Sequence, residues 1–92
     1  MPSYKTIIVD EDSSARQQLA KLLKDRSDVD LTGEYGNGLE AIRVINAEKP
    51  DLVFLEVKMP DISGFEVLEN VDSNHFPTII ITSEHTECRP GI

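Results

Sequence analysis

The sequence is short of several things, and each shortage narrows the choice. Cys88 is the only cysteine among 92 residues, so no intrachain disulfide can form and no Cys-x-x-Cys or Cys/His zinc spacing exists. Basic residues are scarce: nine Lys and Arg stand against seventeen Asp and Glu, a net charge of −8. That balance disfavours direct binding to nucleic-acid phosphates or anionic membranes, while leaving room for a basic protein partner or a divalent cation. No basic-apolar leader opens the chain, and no apolar run approaches the roughly 18 residues of a membrane span. Internal repeats, low-complexity tracts and interdomain linkers are also lacking. The expectation is one domain over residues 1–92 in a reducing, cytoplasmic setting. A hydrophobic share of 39% with clear periodicity argues for a packed chain rather than a disordered one.

Short apolar runs and amphipathic stretches alternate along the chain. Thr6-Ile7-Ile8-Val9 reads as a strand buried on both faces and stops abruptly at Asp10-Glu11-Asp12. Ser13 or Ser14 is placed to cap a helix whose apolar positions are Ala15, Leu19, Leu22 and Leu23. A looser strand signal around Val29-Asp30-Leu31-Thr32 alternates as an edge strand does. Gly36-Asn37-Gly38 marks a turn, and Leu39, Ala41, Ile42 and Ile45 define a second helix that Pro50 ends. Leu52–Val57 is a third buried strand. A short helix from Gly64 to Val71, with Phe65 and Leu68 on its apolar face, follows a loop at Lys58–Ser63. Asn74 to Pro77 reads as loop, and Thr78–Thr82 as a fourth apolar strand. The order β-α-β-α-β-α-β predicts an α/β fold with a doubly wound parallel sheet.

In such a sheet, ligands bind beyond the carboxyl ends of the strands. Two acidic features fall there: the Asp10-Glu11-Asp12 cluster, and Glu56 at the end of the third strand. Taken alone, the cluster can be a solvated loop with a helix cap, and Glu56 can simply mark the exit from the core. Facing each other across one rim, they read better as a cation site. His75 and His85 lack Ser, Cys or acidic partners at useful spacing, Cys88 sits in a polar terminus, and the side chains of Lys58 and Asp61 read as loop solubilisers.

With these residues laid out, the chain resembles the receiver domain of two-component response regulators, which are CheY-like. Four features carry the resemblance: Val9-Asp10-Glu11; Gly36-Asn37-Gly38-Leu39-Glu40-Ala41; the run from Lys49 to Gly64, Lys-Pro-Asp-Leu-Val-Phe-Leu-Glu-Val-Lys-Met-Pro-Asp-Ile-Ser-Gly; and Thr82-Ser83. They extend from Lys5 to His85. The third strand and Ile79 to His85 further resemble receivers attached to LytTR-type DNA-binding domains.

Receivers take a phosphoryl group from a histidine kinase onto an aspartate. A carboxylate attacking an anionic phosphoryl group needs a hard divalent cation bridging the oxygens. The resemblance implies a Mg²⁺ site made of Asp10, Glu11, Glu56 and the backbone carbonyl of Lys58, with Thr82 and Ser83 sensing the phosphoryl group. It also implies a strand order of 2-1-3-4 and a histidine kinase or another signalling protein as partner.

Two departures qualify this. Glu56 stands at the phosphoacceptor position, where the family has aspartate. Its extra methylene moves the carboxylate oxygen outward by roughly 1.5 Å, and misplacement of about 1 Å can cost on the order of 100-fold in rate. The expectation is a pseudo-receiver that does not run the ordinary phosphorylation cycle and acts as an interaction module or partial phospho-mimic. Secondly, nothing after the fourth strand aligns with the family's remaining β-strand, its lysine and its last two helices, so the fold is expected to be truncated. The Thr78–Thr82 edge is then expected to pair two copies or exchange a segment. The alternatives are a functional receiver completed by another chain or segment and, more remotely, a Mg²⁺-dependent phosphatase of haloacid-dehalogenase type, suggested by Asp10-Glu11-Asp12-Ser13. No enzymatic activity is expected under the leading reading.

Overall fold

A computed structural model describes residues 3–82. Eight elements follow one another: β1 (Tyr4–Val9), α1 (Ser13–Lys24), β2 (Val29–Tyr35), α2 (Gly38–Glu48), β3 (Leu52–Glu56), α3 (Gly64–Glu69), a 3₁₀ turn (Ser73–His75) and β4 (Thr78–Thr82). The four strands form one sheet in the order β2-β1-β3-β4, and all three pairings are parallel. This is the expected α/β arrangement, with the 2-1-3-4 order of CheY-like folds.

Strand pleating divides the apolar residues between two faces. Ile7 and Val9 of β1 and Val53 and Leu55 of β3 point toward α2 and α3. There they meet Ala41, Val44, Ile45, Val67 and Val71 in the main core. Ile8 points the other way, and Ala15, Leu19 and Leu23 place α1 on that side, with Leu23 buried. β1 and β3 are the central strands and read as nearly continuous apolar runs. β2 alternates between half-buried and exposed residues along its whole length, as its edge position requires.

Several local details differ from the sequence expectations. The α1 cap is Asp12, whose extended backbone lets its carboxylate accept from the Ser14 amide at 2.9 Å, so Ser13 and Ser14 lie inside the helix. The stripe at positions 15, 19 and 23 faces the sheet, which turns Leu22 outward to 71% exposure. β3 ends at Glu56, one residue early, because the chain bends into the loop at Val57, although the Val57 amide still donates to Thr82 O of β4 at 3.2 Å. In α3 a capping box between Ser63 and Glu66 fixes the phase of the helix. That phase buries Gly64 and Val67 and leaves Phe65 58% exposed, so Val67, not Phe65, is the anchor. The stretch expected as loop begins with the 3₁₀ turn, capped by Asp72.

Candidate functional site

The parallel strands deliver their carboxyl ends to one rim. Asp10 follows β1 and is tied to the end of β2 by its amide, which donates to Tyr35 O at 3.0 Å. Its carboxylate accepts from the Asp12 amide at 2.9 Å, which folds the acidic turn back on itself. Arg16, in the first turns of α1, donates from Nη1 to the Asp10 carbonyl and pairs with Glu34 at 3.6 Å. The guanidinium thus ties the main chain of the acidic turn to Glu34 of β2.

Glu56 closes β3 and is only 5% exposed, an unusual position for a carboxyl group. Its neighbour across the sheet is Thr82, aligned with it in the β3–β4 register. One of its contacts is with the Lys58 amide, which donates to Oε2 at 3.3 Å. Asp10, Asp12, Glu56 and Thr82, with Ile8 and Leu19 below them, line one small cleft of about 220 Å³. Glu11 and Lys58 line a neighbouring, more open depression of about 450 Å³, together with Met59, Pro60 and Asp61.

The residues expected to act together therefore lie at one rim but in two adjoining hollows. Asp10, Glu56 and Thr82 share the inner one, while Glu11 and Lys58 share the outer one. Ser83 falls outside the described residues, as do His85 and Cys88. Among the described residues, no three acidic, histidine or cysteine side chains come together as a group that could hold a metal ion. The carboxylates of Asp10, Glu11 and Glu56 at this rim are oxygen donors. Oxygen is the donor type a hard cation such as Mg²⁺ takes, with several retained waters and one or two protein carboxylates. A larger hollow of about 770 Å³ between α1 and β2 contains none of these residues and is floored by Leu23, Val29 and Leu31.

Two structural parts of the site escaped the sequence reading. The first is Asp61, expected to be only a solubilising loop residue. Its two carboxylate oxygens accept from the Gly38 and Leu39 amides at 2.9 and 2.8 Å, the first two donors of α2. Those bonds, Gly38 first and Leu39 second, hold the Asp61 carboxyl below the usual carboxylate range. The second is Gly64, expected only to release the helix. A Cβ there would lie 2.6 Å from the Glu56 carbonyl oxygen, so glycine is what lets α3 start directly against the end of β3. The Gly64 amide also donates to Val57 O at 2.8 Å.

Comparison with known proteins agrees with this arrangement. The family model of the response regulator receiver domain matches residues 6–89. The transcriptional regulatory protein BtsR of Salmonella typhi is 37% identical over 83 residues, which cover 90% of this chain and 35% of that protein. The response regulator domain of Thermotoga maritima CheB superposes with a TM-score of 0.81 at 28% identity, over 92% of this chain and 63% of that one. A structure of the CheA3 P1 domain in complex with CheY6 from R. sphaeroides is matched with a TM-score of 0.76 at 27% identity, over 90% of this chain and 65% of that one. The chain spans about a third of the length of the curated relatives it matches.

Proposed function

The chain belongs to the response regulator receiver domain family, and from that premise we propose that it is a two-component receiver whose acceptor position does not take up a phosphoryl group in the ordinary way. The observation that carries this is Glu56: 5% exposed, at the end of β3, sharing a cleft with Asp10 and Thr82. Gly64 packs against the Glu56 backbone carbonyl, which holds the main chain at the end of β3 in place. From that fixed main chain, a side chain one methylene longer than aspartate reaches further outward. It carries its carboxylate toward the space an incoming phosphoryl group would need. The same placement puts a carboxyl group near that space, which is the basis for reading the residue as a partial phospho-mimic.

Asp10, Glu11, Glu56 and the Lys58 carbonyl would hold Mg²⁺, which when bound neutralises charge between a carboxylate and an anionic phosphoryl donor. Thr82 is the hydroxyl in register with Glu56 and would respond to that charge, with Ser83 beside it. The partner in this reading is a histidine kinase or another signalling protein, by analogy with the matched CheY6 complex. The name of BtsR, a transcriptional regulatory protein, suggests an output in transcription; that output would lie in another segment or partner, since an acidic domain is a poor ligand for DNA.

Acetyl phosphate with Mg²⁺, followed by intact mass, tests the proposal. Phosphoryl transfer to a carboxylate would form an acyl phosphate and release acetate. The native chain is expected to remain unmodified, whereas Glu56→Asp acquires a phosphoryl adduct. A stoichiometric adduct on Glu56 in the native chain would overturn the reading.

A second reading, a receiver completed by another chain, is favoured by one observation. Ile80 and Ile81 of β4 are 41% and 43% exposed on opposite faces of the sheet.

A further inference from the structure

The loop between β3 and α3 carries Lys58, whose peptide group meets Glu56 on its N–H side. Pro60 restrains the backbone locally, but Val57 to Ser63 contains no regular structure that would hold the loop as a unit. It is nevertheless fastened at three points. At its far end, the Gly64 amide donates to Val57 O at 2.8 Å and closes the loop on itself. In its middle, Ile62 lies on Gly38 so closely that a Cβ at position 38 would fall 2.5 Å from Ile62 Cγ1. Beside Ile62, Asp61 bridges the Gly38 and Leu39 amides with both oxygens. The start of α2 does not depend on Asp61 alone, because Asn37 caps it independently, accepting from the Glu40 amide at 2.9 Å. The carboxylate is thus better explained by what it does for the loop than by what it does for the helix.

We propose that Asp61 is a positioning residue: it anchors the 57–63 loop to the amino end of α2 and thereby holds the Lys58 peptide group against Glu56. The physical basis is that two charge-assisted bonds to fixed helix amides are short, directional and stronger than neutral ones. The helix amino end adds a favourable field for the charge. The chain of contacts runs from Asp61 through Ile62 and the loop backbone to Lys58 N–H and Glu56 Oε2. In consequence, the Lys58 carbonyl, on the other side of the same residue, is held in place too. Its use as a cation ligand rests on the receiver reading given above; the anchoring does not.

Amide hydrogen exchange by NMR, followed by Mg²⁺ titration of the same samples, tests the proposal in the native chain, Asp61→Ala, Asp61→Asn and Asn37→Ala. In Asp61→Ala the Lys58 amide is expected to exchange about tenfold faster, the effect of losing one net charge-assisted bond. The Ile7 and Val53 amides of the central strands should stay within about twofold. Asp61→Asn keeps one acceptor oxygen and should lie between the two. Asn37→Ala weakens the helix cap and lowers stability, but should leave Lys58 protected relative to the central strands. Unchanged Lys58 exchange in Asp61→Ala, or equal acceleration in Asn37→Ala, would overturn the proposal. Mg²⁺ affinity separates the two ideas: absent binding in the native chain counts against the cation site alone, while the Lys58 exchange still decides the anchor. Native binding that survives Asp61→Ala unchanged, with Lys58 loosened, would show that the anchor does not extend to the carbonyl.

Discussion

Asp61 meets two backbone amides at the mouth of a helix, and those bonds exist fully only while it is ionised. They depress its pKa in the folded protein below the ordinary value of 3.8. The sign then follows from linkage: the unfolded chain binds the Asp61 proton more readily, so the stabilisation is complete above the unfolded pKa and is lost as pH falls through the folded one. Urea unfolding at a series of pH values should therefore show a constant gap between the native chain and Asp61→Asn from neutrality to about pH 5, closing at lower pH. A gap that persists undiminished at pH 2 would mean the residue acts through shape alone. This role was hidden in the sequence for a simple reason. The partners of Asp61 lie 22 and 23 residues upstream, and side-chain-to-backbone bonds leave no periodic trace. Asp10 and Glu56 were legible because each ends an apolar run, and a charge at the end of a buried strand is conspicuous. Glu11 follows Asp10 in the chain, yet it opens into a different hollow; adjacent residues in an extended turn point apart, and spacing alone cannot say which way either will face.

At the scale of elements, what the sequence showed well was type and order, because strand and helix periods differ and the apolar runs are short. What it missed was phase. Leu22 and Phe65 are large and apolar, yet Leu22 sits one position before the buried Leu23 and Phe65 two positions before the buried Val67. A one-residue step turns a helical side chain by about 100°, and the caps that set the phase, Asp12 and the Ser63–Glu66 box, are bonds that only the folded geometry selects. The junction between β3 and α3 is the tightest of these phase-setting contacts. Gly64 brings the first turn of α3 to within reach of the Glu56 carbonyl, and main-chain atoms cannot step aside as side chains do. Gly64→Ala is expected to lower stability by about 1–3 kcal/mol, the usual range for overpacking, and to loosen the Glu56 end of β3. Gly36→Ala is a suitable control, since a Cβ there would meet the Arg16 guanidinium at 3.3 Å, a flexible neighbour that can give. Urea midpoints for the two variants check this; equal losses, or no loss in Gly64→Ala, would count against the close approach.

For the whole molecule, the strand order 2-1-3-4 puts the two most apolar strands in the middle and leaves β2 and β4 at the ends of the described sheet. These ends are unequal. β2 alternates polar and apolar residues and carries Asp30, Thr32 and Glu34 on its exposed positions, which discourages pairing. β4 is Thr-Ile-Ile-Ile-Thr, with no charge, and both Ile80 and Ile81 are substantially exposed although they point to opposite faces. An uncharged, β-branched strand at the end of a sheet is a template for another strand. The net charge of −8 opposes association of two copies through long-range repulsion, and salt screens that repulsion over a Debye length of about 8 Å at physiological ionic strength. The expected behaviour is therefore self-association that strengthens with protein concentration and with added salt. It should be abolished by Ile80→Lys together with Ile81→Lys, which place charge on both faces of the strand. Sedimentation velocity across a concentration series at low and moderate salt measures this. A compact monomer throughout, or a dimer indifferent to the double lysine variant, would locate any self-contact elsewhere and leave the β4 edge to a different chain. The salt arm adds a further discrimination: a partner recruited by the acidic surface should bind less tightly as salt rises, whereas pairing of two like-charged copies along β4 should bind more tightly.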